Sequence, residues 1–212
     1  MERGKMTSFD PQNHAKPPAA LNLQRGQLLI VGTGAISVTF LPSWVNVRRT
    51  WYPQMSIRVV LTHSATALVS TRAIAAISGH SVAVQDGGAS SPAVMHRALS
   101  AWADLVLVFP ATSNFLSKLA HSMTDSMALM TCAVSPSPVV LVPSVPEKIW
   151  KAPSMVRNIS LLKESGYWVH EPSAAVTAAT RTGEFGGPAD ISSVVRLMSK
   201  TLETDPNTQK ES

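Results

Sequence analysis

The stretch DLVLVFPATSNFLSKLAHSM, residues 104–123, changes its character near its centre. Its first part is a continuous apolar run, which is typical of a strand buried on both faces of a parallel sheet. Its second part is amphipathic, which is typical of a helix. Between them lies Pro110-Ala111-Thr112-Ser113-Asn114, a run of small side chains with several hydrogen-bonding groups. A buried strand, a small polar loop and a helix form the repeating unit of a doubly wound α/β sheet.

The same alternation recurs along the chain. Further strands are predicted at QLLIVGT (27–33), IRVVLTH (57–63), PVVLVPS (138–144) and YWVHEP (167–172), and helices at about 35–50, 65–77, 92–102, 113–133 and 153–165. We therefore predict a single α/β domain over residues 27–203, with a doubly wound, Rossmann- or flavodoxin-like parallel sheet. Residues 1–26 are polar and aperiodic, which predicts a flexible N-terminal arm or one ordered by a neighbouring subunit. Residues 204–212 are predicted to be a frayed C-terminal tail.

Composition argues against several classes of protein. The chain has 212 residues, of which 45% are hydrophobic, enough for one substantial core. The sequence contains neither a long apolar run nor an apolar signal-peptide centre, so we expect a cytoplasmic protein without a membrane span. Cys132 is the only cysteine, which excludes an intramolecular disulfide and argues against a cysteine-based zinc site. The net charge of +5 is scattered, which argues against nucleic-acid binding and favours a mildly basic surface that attracts an anion.

Ligands of doubly wound sheets bind beyond the carboxyl ends of the strands, so the loops there are candidate sites. The first run is followed by Gly32-Thr33-Gly34-Ala35-Ile36-Ser37, where glycines allow close approach of the backbone to a ligand. A dinucleotide fingerprint needs a third glycine, so NAD binding is poorly supported. The second run is followed by Thr62-His63-Ser64. Each stretch also suits an ordinary turn or helix cap, but side by side they would form a phosphate pocket.

The third loop suits a flat ring. Ala111, Thr112 and Ser113 are small enough for a ring to lie against the backbone, and Asn114 can donate and accept hydrogen bonds. Asn114 equally suits the N-cap of the next helix. His96 lies near the start of the preceding predicted helix, where the helix dipole favours a neutral imidazole that can accept a proton. A purely structural histidine is the alternative.

Together these segments resemble the homo-oligomeric flavin-containing cysteine decarboxylase family. That family includes phosphopantothenoylcysteine decarboxylases and the enzymes that oxidatively decarboxylate the C-terminal cysteine of lantibiotic precursor peptides. His96, the run Pro110 to Asn114, and Asp125 resemble its His, its P-A-S-A-N-T motif and its helical Asp. The segment 138–172 also resembles the family, down to the spacing of Pro153, Arg157-Asn158 and Gly166-Tyr167. The resemblance covers about residues 27–200.

The resemblance implies FMN as the cofactor and His96 as the catalytic base. If His96 is not the base, His63 is the nearest candidate at a strand end. Pro110, Ala111, Thr112, Ser113 and Asn114 would cradle the isoalloxazine and ribityl groups. The other cofactor-binding residues implied are Gly32, Thr33, Gly34, Ala35, Ser37, Thr62 and Ser64, the last five at phosphate-binding positions. The family usually has Ser at the position of Ala35. Its flavin sits between the subunits of a homotrimer, and the trimers often assemble into a homododecamer.

The substrate side departs from the family. Its P-A-M-N motif, whose Asn binds the substrate carboxylate, reads Pro143-Ser144-Val145-Pro146 here, so another donor must replace the amide. Coenzyme A-pathway members carry a C-G-D-x-G loop whose Cys reduces the ene-thiol, whereas this chain has Thr182-Gly183-Glu184-Phe185-Gly186. The substrate-binding candidates are Ser144, Val145, Pro146, Lys148, Thr182 and Phe185.

The absence of that Cys favours a reaction that stops at the ene-thiol. The resemblance therefore implies oxidative decarboxylation of a Cys-ended ribosomal precursor peptide, for aminovinyl-cysteine ring formation. The alternatives are a phosphopantothenoylcysteine decarboxylase and a non-catalytic flavin-binding regulatory subunit. A flavin prenyltransferase shares the fold but gains little support.

Overall fold

The apolar runs form a parallel sheet in the computed structural model, which describes residues 16–84, 92–172, 174–176, 183–185 and 189–204. Its strands are β1 (Gln27–Gly32), β2 (Ser56–Leu61), β3 (Ala83–Val84), β4 (Leu105–Ala111), β5 (Val139–Pro143) and β6 (Trp168–Val169). They are ordered β3-β2-β1-β4-β5-β6, and each neighbouring pair is parallel. This is the 3-2-1-4-5-6 order of dinucleotide-binding folds, so the predicted doubly wound α/β architecture is confirmed.

Helices connect these strands. A 3-10 helix (Ile36–Phe40) leads into α1 (Leu41–Trp51), and the others are α2 (His63–Thr66), α3 (Thr71–Ser78), α4 (Pro92–Trp102), α5 (Ser113–Ala120), α6 (Met127–Ala133), α7 (Glu147–Trp150), α8 (Pro153–Glu164) and α9 (Ile191–Thr204). Two further strands, β7 (Ala174–Val176) and β8 (Gly183–Phe185), form an antiparallel pair. Within the described part of the chain, none of the helices is long and apolar enough to cross a membrane.

Two of the predicted helices are wrong in length, because each is divided in two. The side chain of Ser70 accepts a hydrogen bond from the Ala73 N–H and starts α3 afresh after α2. Likewise Ser126 accepts from the Leu129 N–H and starts α6, while Ser122 has a left-handed φ of 55° in the preceding turn. Serine is a favoured N-cap residue, so each of these caps starts a new helix inside a segment that the apolar pattern predicted as one continuous helix.

Both faces of the sheet are buried, which explains why its strands are apolar almost throughout. Successive side chains of β1 alternate between the faces, so Leu28 and Ile30 point to one side, and Leu29 and Val31 to the other. The first core lies against α1, α3 and α9, and the second against α4, α5, α6 and α8. Every helix that follows a central strand therefore begins at the same edge of the sheet, where the predicted loops lie.

The segment before β1 packs onto the domain from its first described residues. The backbone N–H and Nε of Arg25 donate to the two carboxylate oxygens of Asp104, each at 2.7 Å. The Tyr52 hydroxyl donates to the Ala19 carbonyl, and Leu21 and Leu23 contact the core. Packing of the domain thus starts before residue 27, the boundary that the sequence suggested. Residues 1–15 of the predicted arm and residues 205–212 of the predicted tail lie outside the described residues.

Candidate functional site

A cavity of about 320 Å³ opens at the carboxyl ends of β1, β2 and β4. The strand order reverses between β1 and β4, and ligands of doubly wound folds bind at such a point. We call this the edge cavity. It is lined by Thr33, Thr62, His63, Ser64, Thr112, Asn114, Phe115, Lys118, Asp125, Ser126 and Leu129. Loops distant in sequence therefore meet in one place, and five predicted cofactor-binding residues line the cavity: Thr33, Thr62, Ser64, Thr112 and Asn114.

The loops after β1 and β2 are in direct contact at one wall of the edge cavity. A Cβ atom at Gly34 would lie 2.3 Å from Ser64 Oγ and 2.6 Å from Ser64 Cβ, distances that no real contact tolerates. Only glycine therefore fits at this position. The hydroxyls of Thr62 and Ser64 lie 3.2 Å apart. The two hydroxyl-rich loops thus form a single surface, as the phosphate-pocket hypothesis requires.

The loops after β1 and β4 are joined by Thr33. Its buried hydroxyl donates to the Pro110 carbonyl at 2.7 Å and accepts from the Thr112 N–H at 3.0 Å. The Thr112 hydroxyl in turn accepts from the Phe115 N–H at 3.3 Å and caps α5. Asn114 is therefore not the N-cap, the role that competed with ligand binding. Its amide is exposed at the wall of the edge cavity, where it can reach a ligand.

The remaining cofactor-binding candidates lie within or beside these loops. Gly32, Pro110 and Ala111 are buried at strand ends, whereas Gly34, Ala35 and Ser113 are half-buried. Below this edge, the ring of Phe109 stacks on Trp44 at 3.7 Å between centroids with an angle of 9°, and the Arg48 guanidinium lies 5.5 Å from the Trp44 ring. Burial lowers the pKa of Arg48 to about 10. This packed column supports the loop after β4 from inside the core.

Six residues of the edge cavity were not predicted as cofactor ligands from the sequence: His63, Phe115, Lys118, Asp125, Ser126 and Leu129. Lys118 Nζ lies 2.5 Å from the carboxylate of Asp125, and both side chains are partly exposed. Lys118 follows Asn114 by four residues, so on helix α5 it lies on the same face one turn later. That spacing was the signal in the sequence that could have identified it. Phe115 and Leu129 are buried and supply an apolar wall.

The loop after β5 contains the substrate-binding candidates Ser144, Val145, Pro146 and Lys148, and Ser37 contacts it. Ser37 is 2% exposed, and its hydroxyl donates to the Ser144 hydroxyl at 2.9 Å. Ser37 therefore contacts the substrate-side loop, and it is not among the residues that line the edge cavity. Val145 is buried in the core, whereas Pro146 and Lys148 are exposed. Ser144, half-buried, is the hydroxyl of this loop that remains near the surface.

The two histidine candidates lie in different places. His63 lines the edge cavity, whereas His96 lies in the second turn of α4, half-buried and outside the cavity wall. A helix that leads into a parallel strand runs antiparallel to it, so the N-terminal half of α4 lies near the carboxyl edge. His96 therefore lies near the same edge of the sheet as the edge cavity. Thr182 lies outside the described residues, and Phe185 is the last residue of β8.

Thiol chemistry finds no support at Cys132. The side chain is fully buried in α6, and burial raises its pKa to about 12. A thiol with such a pKa stays protonated near neutral pH, and the thiol is a much poorer nucleophile than the thiolate. Cys132 is therefore a small core residue.

Comparisons with known proteins agree with this geometry. The family described as Flavoprotein matches residues 18–203. The coenzyme A biosynthesis bifunctional protein CoaBC of Bacillus subtilis is 33% identical over 146 residues, which is 68% of this chain and 36% of that protein. The chain thus spans little more than a third of the length of this relative. Mersacidin decarboxylase of Bacillus sp. strain HIL-Y85/54728 is 24% identical over 165 residues, which cover 77% of this chain and 83% of that enzyme.

A solved structure gives the same result. The crystal structure of SpaF, described as an FMN-dependent cysteine decarboxylase, superposes with a TM-score of 0.69 at 31% identity. The match covers 86% of this chain and 99% of SpaF. Both proteins therefore share the whole architecture and not only the nucleotide-binding half of the sheet.

Proposed function

The chain belongs to the Flavoprotein family, and on that basis we propose that it is an FMN-dependent decarboxylase acting on the C-terminal cysteine of a precursor peptide. The observation that carries the proposal is the edge cavity, where hydroxyls, an exposed amide and an apolar wall meet at the strand-order reversal. SpaF, the FMN-dependent cysteine decarboxylase, matches over nearly its whole length and supports the cofactor and the reaction class. Mersacidin decarboxylase supports the peptide substrate.

The residues present fit FMN. Thr62 and Ser64 supply two hydroxyls for a phosphate, and Gly34 lets the backbone of the first loop approach them. Ala111 to Asn114 would lie along the ring and ribityl, with the Asn114 amide as a donor and acceptor. Phe115 and Leu129 supply apolar surface. The bound FMN would supply the two-electron oxidation of the substrate cysteine.

The protein would contribute orientation and a base. His96 would take the thiol proton while the Cβ–H bond of the cysteine is oxidised. The resulting thioaldehyde withdraws electrons from the adjacent carbon, so the bond to the carboxylate breaks and CO2 leaves. The product is a peptide ene-thiol, which has lost CO2 and two hydrogens. Because His96 lies outside the edge cavity of one chain, we further propose a site completed by a neighbouring chain in a homotrimer, or in a homododecamer assembled from trimers.

On the substrate side, Ser144 is the proposed replacement for the family's carboxylate-binding amide. Ser37 donates to the Ser144 oxygen, so the Ser144 hydroxyl keeps its own hydrogen for a ligand. The Ser144 N–H donates to the Ala111 carbonyl at 2.9 Å, which fixes the loop relative to β4. A hydroxyl fixed in this way can donate to a peptide carboxylate. Lys148 is exposed on the same loop and adds positive charge.

Mass spectrometry of Cys-ended peptides after incubation with the yellow protein tests the proposal. Oxidative decarboxylation removes CO2 and two hydrogens, about 46 Da, in chemistry that the flavin makes possible. A phosphopantothenoylcysteine decarboxylase, which the similarity to CoaBC favours, would instead remove CO2 alone from a small phosphorylated substrate. A protein that binds FMN and changes neither substrate would be a flavin-binding regulatory subunit. A colourless protein that takes up no FMN would refute the cofactor itself.

A further inference from the structure

We propose that Arg48, a buried cation of α1, sets the reduction potential of bound FMN by stabilising the negative charge that the flavin ring gains on reduction. The inference rests on the proposed function for the identity of the cofactor. It goes further because a core residue that does not line the edge cavity would control how readily the cofactor accepts electrons.

The Arg48 guanidinium is a charged group inside the first core. Arg48 is 0% exposed, and its Nη1 donates to Met198 Sδ at 3.0 Å. In the part of the chain that the structure describes, its Nε and Nη2 have no hydrogen-bond partner, and no carboxylate forms an ion pair with it. Burial lowers the pKa of Arg48 to about 10, which still leaves the side chain charged at neutral pH.

A charge buried in this way is unfavourable for stability. The core does not replace the water that the guanidinium loses, and an apolar side chain of similar volume would avoid this penalty. Departures from the packing rules of this kind are expected at functional or strained sites. Arg48 is therefore a candidate for a functional role, and its position indicates which role.

Stacked aromatic rings connect Arg48 with the loop after β4. The guanidinium carbon lies 5.5 Å from the centroid of the Trp44 ring, and that ring stacks on Phe109 at 3.7 Å. Phe109 directly precedes Pro110, the first residue of the loop proposed to hold the flavin ring. Trp44 and Phe109 are both buried, so packed side chains and not solvent lie between the cation and the base of this loop.

The charge of Arg48 can act over this distance because little water screens it. Salt screens exposed charges beyond about 8–10 Å, whereas buried charges are screened much less. Oxidation of the Cβ–H bond transfers a hydride, which is two electrons and one proton, so the flavin ring gains one negative charge. Unit charges about 12 Å apart, at an effective dielectric constant of about 20, change such an equilibrium about tenfold. Arg48 therefore favours the reduced cofactor and raises its reduction potential.

The experiment measures the midpoint potential of FMN bound to the full-length protein, by anaerobic reduction in equilibrium with a reference dye. Arg48→Met and Arg48→Gln replace the charge with two different neutral side chains. Each should lower the potential by about 30 mV, which corresponds to a tenfold change in the ratio of reduced to oxidised flavin. The FMN phosphate is present in both redox states, so its own attraction to Arg48 cancels. The difference should persist at about 1 M salt, because the charge is buried.

Two control variants separate the buried charge from other effects. Arg49→Met removes a cation from the next residue of α1, but Arg49 is exposed and its Nη1 donates to the Ile77 carbonyl, so solvent screens its charge. Met198→Leu removes the sulfur that contacts Arg48 and keeps the guanidinium. Both variants should have the wild-type potential. Circular dichroism and flavin absorbance establish that each variant is folded and loaded.

Wild-type potentials in Arg48→Met and Arg48→Gln, or an equal shift in either control variant, would overturn the role of Arg48 and leave FMN binding and the proposed function intact. Loss of folding or of FMN binding in both neutral variants would also overturn it, because Arg48 would then be a structural residue of the core. Failure of the wild type to bind FMN would overturn the proposed function and this inference together.

Discussion

The two halves of the carboxyl edge are built differently. The loops after β1, β2 and β4 meet around the edge cavity and supply hydroxyls and the Asn114 amide. They also contain Gly34, a position where a Cβ atom would collide with Ser64. The loop after β5 has a proline at 146, a buried Val145 and one half-buried hydroxyl, that of Ser144. The first half has the groups that a flavin phosphate and ring need, whereas the second lacks a side-chain amide. Under the proposed function, variants in the first half should impair FMN binding, and variants in the second half should impair peptide binding.

The largest effect is expected at His96, which belongs to neither half within one chain. His96→Asn should keep FMN and assembly but lose about two to four orders of magnitude in turnover, the usual contribution of a positioned acid–base group. Asparagine retains hydrogen bonding, so the substitution removes proton transfer more than packing. Turnover on a Cys-ended peptide, flavin absorbance and light scattering measure the three properties.

His121→Asn is the matched control, because this exposed histidine lies outside the edge cavity. Near-native turnover by a folded, yellow His96→Asn protein would contradict the catalytic role of His96. A loss of flavin together with activity would instead indicate a structural histidine.

The next largest effect should appear in the cofactor half at Gly34. A Cβ atom there would lie 2.3 Å from Ser64 Oγ, so Gly34→Ala must displace one loop from the other. Overpacking of this kind costs about 1–3 kcal/mol, which corresponds to about fivefold to more than a hundredfold in FMN affinity. Ser64→Gly removes the obstructing side chain. Introducing Gly34→Ala into the Ser64→Gly variant should therefore reduce FMN affinity less than introducing it into the wild type. Unchanged FMN affinity in Gly34→Ala would show that the contact between the two loops does not shape the site.

Sequence patterns predicted the central strands because both faces of the sheet are buried. The runs containing Leu28 to Val31 and Leu105 to Phe109 are therefore apolar throughout and stand out from their surroundings. Strand β3 was missed because it is two residues long at the sheet edge. Helix α9 was also missed, although Val194, Val195, Met198 and Leu202 recur at helical spacing and are all buried.

The site was less predictable because its contacts join distant residues. Thr112 and Asn114 both suit an N-cap, and only the folded chain shows that Thr112 takes the role. Ser37 and Ser144 are 107 residues apart in sequence, so no local sequence pattern predicts their hydrogen bond. Family resemblance placed Ser37 among the phosphate-binding residues because it follows the first glycine loop. In the fold, the 3-10 helix turns its hydroxyl toward the substrate-side loop.

In the substrate half, Ser144→Ala should weaken peptide binding and leave FMN binding unchanged. Loss of one hydrogen bond to a charged group costs about 1.5–3 kcal/mol, so KM for a Cys-ended peptide should rise about tenfold or more. Ser160→Ala is a suitable control, because its hydroxyl donates to the Val156 carbonyl within α8 on the exposed surface. A peptide amide that lacks the free carboxylate should bind wild type and Ser144→Ala equally. An unchanged KM would remove Ser144 as the carboxylate donor.

The smallest effect concerns stability at the outer end of the substrate half, where His170 follows β6. Its Nε2 lies 3.0 Å from the Ser193 hydroxyl, and that hydroxyl donates to the Asp190 carbonyl at 2.7 Å. The hydroxyl hydrogen is therefore used, so Nε2 carries the proton and donates to Ser193. Nδ1 is buried without a hydrogen-bond partner within the described part of the chain. His170 thus joins β6 to the start of α9 as a neutral imidazole.

Burial lowers the pKa of His170, against the smaller opposing effects of Glu171 and Asp190. The unfolded chain takes up the proton near the ordinary pKa of about 6.5, whereas the folded chain resists it until lower pH. The stability that the neutral ring contributes is therefore complete above about pH 6.5 and is lost as the pH falls toward the lowered pKa of the folded state.

His170→Gln keeps a donor to Ser193 but cannot titrate, so its Tm should fall less than that of the wild type between pH 7.5 and 5. We expect a difference of about 2–4 °C, with FMN affinity at pH 7.5 unchanged. His121→Gln, exposed and outside the cavity, should follow the wild type. Parallel Tm profiles for wild type and His170→Gln would show that proton uptake by this buried ring does not contribute to the pH dependence of stability.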